Sequence, residues 1–384
     1  MIIRIFGAES LGVRGLSCSV ELENQKIFID PGLALGWSRH GLLPHPFQVA
    51  VGAGIRETII EELKAADDVV FSHFHGDHCP LKKANPYQLD LSRVKKSLSG
   101  CRIWAKSSEN CSHTEENRRI DLIEAVNMSF LKTEGTKNGS LEFSRPVFHG
   151  LKNEKKNTVI MTRIEDGGQV FVHASDIQLL ESATIETILD WKPDIVLVSG
   201  PPLYIFSASS LKKNSERAWE NALELSKNID TLIIDHHLLR SEQGINWHKK
   251  LKQAAANKIF CAADFMKRSP LFLEAWRGTL YEGLPVSDNW HDDYHNAYQK
   301  GEADLTWYRI NGWPFLIRKH KLSPCRWYEC CPIKTYTENG NLERYWEENY
   351  CLVNNRTCLR YQMEEKGKFH PDNMLPDGTI RESL

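Results

Sequence analysis

Three histidines and an aspartate lie within six positions of "VVFSHFHGDHCPL": His73, His75, Asp77 and His78. Imidazole nitrogen and carboxylate oxygen are donors that zinc takes readily, and added carboxylates also admit iron or manganese. Side chains alternate across an extended strand, so the His-x-His pair points to one side and can converge on one ion. Asp77 and His78, one turn further on, can face a second ion beside it, and Gly76 permits a tight bend between the two pairs. A polar loop whose histidines satisfy themselves with backbone and water explains one imidazole, not four donors in this order.

Such a cluster needs rigid elements to deliver it. "DVVFS" is a short apolar run of buried-strand type, preceded by helical spacing over Ile55 to Ala66. Upstream, "SCSVELENQKIFIDPG" alternates apolar and polar on both sides of Glu23-Asn24, which predicts a β-hairpin closed by a Pro-Gly turn. "NTVIMTRIEDGGQVFVHASD" predicts a second hairpin turning at Asp166-Gly167-Gly168. "PDIVLVSG" and "DTLIIDHH" read as two more buried strands, separated by a helix from Ser209 to Asn228. Hairpins followed by strands alternating with helices predict an α/β architecture of sheets covered by helices.

"HFHGDH" resembles the His-x-His-x-Asp-His signature of the metallo-β-lactamase superfamily. "AESLGVRGLSCSVEL", "IFIDPGLALG" and "DHHLLR" resemble a largely archaeal family within it, over roughly the first 300 residues. The resemblance implies an αββα four-layer sandwich and further ligands after later strands. His149 in "RPVFHG", Asp176 in "QVFVHASD" and His236 or His237 in "LIIDHHLLR" stand in those places. It implies that His73, His75 and His149 hold the first metal, that Asp77, His78 and His236 hold the second, and that Asp176 lies between them. His236 is preferred to His237 because it follows the strand. Asp30, in "IDPG", resembles the family's aspartate that orients a ligand. The expected chemistry is that of a dinuclear hydrolase. Two divalent ions generate hydroxide near neutral pH and polarise a carbonyl or phosphoryl oxygen, with Asp77 and Asp176 as the catalytic carboxylates and Asp77 accepting the nucleophile's proton. An ester, lactone, thioester or phosphodiester of a small molecule is the expected substrate; a nuclease of the same fold and a non-hydrolytic iron or iron–sulfur protein are the alternatives.

The chain has 384 residues, 41% apolar and 26% charged, with a net charge of −2. No global basic field advertises nucleic acid. No apolar leader or membrane-length segment appears, which predicts a soluble, cytoplasmic protein. Of ten cysteines, Cys18, Cys79, Cys101, Cys111 and Cys261 are scattered and read as buried or free thiols. The other five, Cys325, Cys330, Cys331, Cys351 and Cys358, fall within one 34-residue window. Such a cluster reads as a separate site for zinc or an iron–sulfur cluster, and Pro332 after Cys331 favours the latter. The segment "YCLVNNRTCLRYQMEEKGKFHPDNMLPDGTI" also resembles a small cysteine-containing module attached to other archaeal enzymes. Six of the eleven tryptophans lie from Trp276 onward, and a domain boundary is expected near residue 305. Between them, the segment 309–327 carries five Lys/Arg by Arg326, no acid, and the aromatics Trp313 and Phe315. It reads as an amphipathic strand, or as a strip that contacts phosphates while stacking bases.

Overall fold

The computed structural model describes residues 1–151, 157–256 and 258–384. Its first sheet runs in chain order: β1 (Ile2–Gly7), β2 (Ser17–Glu21), β3 (Lys26–Ile29), β4 (Asp68–Phe71), β5 (Arg102–Ala105) and β6 (Leu131–Lys132). β1–β3 are antiparallel and β3–β6 parallel. β7 (Lys137–Asn138) and β8 (Leu141–Phe143) open the second sheet, while β9 (Val147–Phe148) and β10 (Thr158–Val159) form a separate short pair. The second sheet is completed by β11 (Thr162–Asp166), β12 (Gln169–His173), β13 (Ile195–Val198), β14 (Thr231–Ile234) and β15 (Ile259–Phe260). Its order is β15-β14-β13-β12-β11-β8-β7, parallel from β12 to β15.

Strand alternation explains how the layers stack. On β3 and β4, Ile27, Ile29 and Val70 face the second sheet and share a core with Ile164, Val172 and Leu197. Phe28, Val69 and Phe71 point the other way, onto α1 (Pro46–Leu63), α2 (Leu91–Leu98) and α3 (His113–Val126). Trp104 of β5 meets Phe143 of β8 at 5.4 Å between ring centroids, a direct contact across the sheets. The second sheet is covered by α4 (Ser182–Asp190), α5 (Ala208–Asn228) and α6 (Glu242–Ala254), through Ile188, Leu225 and Leu251. The result is the expected αββα sandwich.

Beyond it come α7 (Ala262–Phe265), α8 (Arg277–Gly283), α9 (Trp290–Lys300) and α10 (Thr306–His320), then the short α11 (Pro332–Glu338), α12 (Arg344–Trp346) and α13 (Leu359–Glu364). Among the described residues no helix is long and apolar enough to cross a membrane.

Both hairpins and both later strands form where the alternation places them. Three local expectations are corrected. The first hairpin closes at Glu23-Asn24, where Leu22 N–H donates to the Gln25 carbonyl at 2.9 Å, and Pro31-Gly32 follows β3 instead. The helix expected over Ile55 to Ala66 starts at Pro46, capped by His45, whose Nδ1 accepts from Phe47 N–H at 3.1 Å. The segment expected as a strand from residue 309 is mostly helix α10, which tolerates Pro314 in its interior. Trp313 is buried edge-to-face on Phe47 of α1, 5.4 Å between centroids, so it is not available to stack a base. Residue 305 falls in the loop between α9 and α10, and one apolar cluster (Phe47, Leu273, Leu280, Trp313, Val353) spans both sides of it.

Candidate metal centre

Every site residue singled out from the sequence on the N-terminal side lies just past the C-terminal end of a strand, at one edge of the sandwich. β3 delivers Asp30, β4 the turn carrying His73 to His78, β9 His149, β12 Asp176 and β14 His236 and His237. The turn after β4 is closed by His78 N–H and Cys79 N–H on the His75 carbonyl at 3.0 and 3.2 Å. Gly76 does not take a left-handed backbone there; a Cβ would meet the end of the Leu81 side chain at 3.2 Å, a tight contact. Gly32 lies against the His78–Cys79 peptide with no space for a Cβ.

The predicted ligands converge. His73, His75, His149 and Asp176 bring one donor atom each within 4.8 Å of one another, and so do Asp77, His78 and His236. Asp176 joins the two sets. Its Oδ2 lies 3.3 Å from His149 Nε2, 3.3 Å from His237 Nε2 and 3.6 Å from His73 Nε2. Its Oδ1 lies 3.2 Å from His78 Nε2 and 3.6 Å from His236 Nε2. His236 Nε2 is also 3.4 Å from Asp77 Oδ2. The paired histidines stack on each other, rings 4.5 Å apart, and both reach Asp176; His236 is also on the Asp77–His78 side, and His237 is beside His149, rings 5.1 Å apart.

The surroundings hold these groups in place. Asp30 accepts from Ser72 N–H at 2.8 Å and faces His78 Nδ1 at 2.9 Å, which turns Nε2 toward Asp176. Ser72 Oγ lies 3.0 Å from His73 Nδ1. Gln178 Nε2 lies 3.3 Å from His149 Nδ1. Gly15 N–H donates to His236 Nδ1 at 3.0 Å, which leaves the proton of a neutral ring on Nε2, so a metal at Nε2 would have to displace both that proton and this contact.

The electrostatics favour a metal-ready, deprotonated set. Burial, reinforced by neighbouring imidazoles, holds His73 far below the ordinary histidine range and His75 at about 4. Burial opposes ionisation of Asp77 and Asp176, yet the surrounding histidines hold both well below the usual carboxylate range, Arg240 helping at Asp77. His78 is the exception: burial pushes it down, but Asp176 and Asp30 outweigh that and raise it. His73 Nε2 and Asp176 Oδ1 are buried with no hydrogen-bond partner among the described residues. Buried polar atoms left unpaired are costly, and two cations, one in the His73 set and one in the set that Asp176 Oδ1 faces, would satisfy both. The residues present therefore fit a bound metal pair.

Sequence reading missed the buried cluster behind the site. Arg240 Nε donates to Glu9 at 2.8 Å, and its Nη2 lies 3.4 Å from Asp77 and 2.8 Å from His236 Nε2. Its Nη1 reaches the Tyr204 hydroxyl at 3.2 Å. Asp235, between β14 and His236, accepts from Ser10, His236 and Ala262 backbone N–H groups. Neither residue sits in a ligand-type spacing. The available signal was a charge placed next to an apolar strand, at Asp235, and Arg240 four residues beyond His236.

A four-layer sandwich with this His/Asp set on its edge is the arrangement of the metallo-β-lactamase fold. More narrowly, the chain belongs to the archaeal UPF0282 family. It is 44% identical over 310 residues to the UPF0282 protein of Methanosarcina mazei, covering 81% of this chain and 100% of that one. It is 32% identical over 286 residues to the UPF0282 protein of Methanopyrus kandleri, covering 71% and 97%. No protein-family model matches the chain. Among solved structures, isothiocyanate hydrolase from Delia radicum gut bacteria aligns at 14% identity and TM-score 0.42, over 68% of this chain and 95% of that one. Zinc-bound PqqB from Methylobacterium extorquens aligns at 9% and 0.41, over 68% and 97%.

Proposed function

We propose that this protein is a dinuclear metal-dependent hydrolase acting on a small molecule. The observation that carries this reading is the division of Asp176, whose two oxygens face two separate ligand sets. His73, His75, His149 and Oδ2 would hold one ion; Asp77, His78, His236 and Oδ1 would hold the other. Their nitrogen and carboxylate donors suit zinc and admit iron or manganese. When bound, such a pair supplies hydroxide near neutral pH and a Lewis acid for a carbonyl or phosphoryl oxygen.

The chain's own groups do the rest. The Asp77 side chain is 17% exposed against 1% for Asp176, so Asp77 is the carboxylate that faces arriving solvent and substrate. Ionised, it accepts the proton released by the attacking water. Arg240 anchors it from behind. The bond cleaved is an ester, lactone, thioester or phosphodiester, and the C-terminal cysteines hold a second, separate metal centre.

The test pairs metal analysis with assays on one representative of each bond class. About two ions at this site are expected, with hydrolysis of one class. Asp176→Ala and His75→Ala should lose metal and hydrolysis together. Variants that keep full metal content would sink the ligand assignment; a fully loaded protein inert on all four classes would sink the hydrolase.

A further inference from the structure

The five clustered cysteines converge on one place. All of them line a single cavity of about 290 Å³, walled by Trp327, Tyr328, Ile333 and Tyr350. The segments that carry them are tied together by Cys325 N–H donating to the Cys351 carbonyl at 2.7 Å. Arg360 closes another side by donating to the carbonyls of Pro371, Asp372 and Met374 at 2.8–2.9 Å.

Four of the five thiols form a set. Burial raises Cys325, Cys351 and Cys358, the last to about 11; Cys331 acts on all three, and Cys330 on Cys325 alone. Cys330 is exposed, and its thiol turns back to the Trp327 carbonyl at 3.4 Å.

The size of the space between the thiols discriminates between metals. A tetrahedral zinc with Zn–S near 2.3 Å brings its thiolates to about 3.8 Å from each other. The cavity that the thiols line has a volume of about 290 Å³, far more than one ion held at that spacing needs. A cubane cluster, in which each thiolate binds a different iron, keeps its sulfurs further apart around a central volume. The module has little core of its own, although Leu352 and Val353 pack into the cluster around Trp313. Its own core is four buried residues, Ile333, Leu342, Cys351 and Leu375, α11 to α13 are each under eight residues, and all ten cysteines are free. Small units with so little apolar burial generally need a metal or covalent staple.

We propose that Cys325, Cys331, Cys351 and Cys358 bind a [4Fe–4S] cluster in this cavity, with Cys330 outside it. This rests on the reading of the cysteines as a metal centre. It adds the type of centre, its ligands and the spare thiol. Tyr361 N–H, 3.5 Å from the Cys358 sulfur, would donate to a ligand thiolate and tune the cluster.

The full-length chain, purified and reconstituted without oxygen using ferrous iron and sulfide, is analysed for iron, acid-labile sulfide and visible absorption. About four sulfides per chain are expected, with about four irons that Cys331→Ser and Cys351→Ser lose in addition to any held at the His/Asp site, and a broad visible band. Cys331→Ser and Cys351→Ser should abolish the band, while Cys330→Ser keeps it in full. Metal at the His/Asp site, measured in the same samples, reports that the serine variants are folded. One zinc without sulfide, lost in Cys331→Ser, would overturn the cluster and leave a metal centre standing. No metal or sulfide dependent on any cysteine would overturn both. Loss of the band in Cys330→Ser would overturn the ligand set.

Discussion

Asp30 sits at φ 48°, a left-handed backbone that costs a non-glycine residue on the order of 1 kcal/mol. In return its carboxylate reaches both the Ser72 N–H and His78 Nδ1. It also accepts from the Ser72 hydroxyl at 2.5 Å, and it fixes which nitrogen His78 presents to Asp176. Asp30→Ala should therefore weaken metal binding by about 10- to 100-fold without removing a ligand, measured by competition with a chelator. Unchanged affinity would show that His78 is oriented by packing alone. His236 and His237 separate in the same measurement. His236 shares its side with Asp77 and His78, so His236→Ala should cost more metal than His237→Ala. The reverse order would move the second site's ligand to His237.

At the scale of elements, α1 depends on an unusual cap. His45 accepts from Phe47 N–H through Nδ1, and its Nε2 lies 3.1 Å from the Leu284 carbonyl, so the ring must be neutral. Burial lowers it from 6.5 to about 4. Because the folded value lies below the unfolded one, the unfolded chain takes the proton first. Stability from this ring is intact above about pH 6.5 and is lost as pH falls toward 4, by about 2 kcal/mol at pH 5. His45→Asn keeps a capping side chain and removes the titration. Urea midpoints of wild type and variant should therefore diverge at pH 7 and converge at pH 5; a gap independent of pH would refute the linkage. The start of this helix was hidden in the sequence for a physical reason. Its first half, "PFQVAVGAG", is buried on several sides, so it lacks the one-faced periodicity that made Ile55 onward legible. The strands were legible because each keeps one face on the intersheet core and the other on a helix. The segment from residue 309 misled because its aromatics fit either period, and only packing of Trp313 on Phe47 selects the helix.

For the whole molecule, that contact joins the C-terminal region to the sandwich. Trp313 is 3% exposed, in a cluster with residues from α1, α8 and the 352–353 segment. Trp313→Ala should cost about 3–5 kcal/mol, read as a shifted urea midpoint. If the two regions then unfold in separate transitions, this cluster is what couples them; a loss under 1 kcal/mol would show the regions to be independent. The candidate site was more legible than the fold around it, because ligand types and their order are local, whereas the cluster of Glu9, Arg240 and Asp77 joins residues more than 150 positions apart. Only the folded chain brings those together.

The sharing of Asp176 between two ligand sets has a consequence for how the protein is made. One set draws on β4, β9 and β12 and the other on β4, β12 and β14, so neither exists until both sheets have docked. On the ribosome, the second set cannot close before residue 236 has emerged. Metal loading would thus be a late event that follows folding. Added ions should slow unfolding while leaving the refolding rate nearly unchanged, since a ligand that recognises only the finished edge has nothing to hold in the transition state.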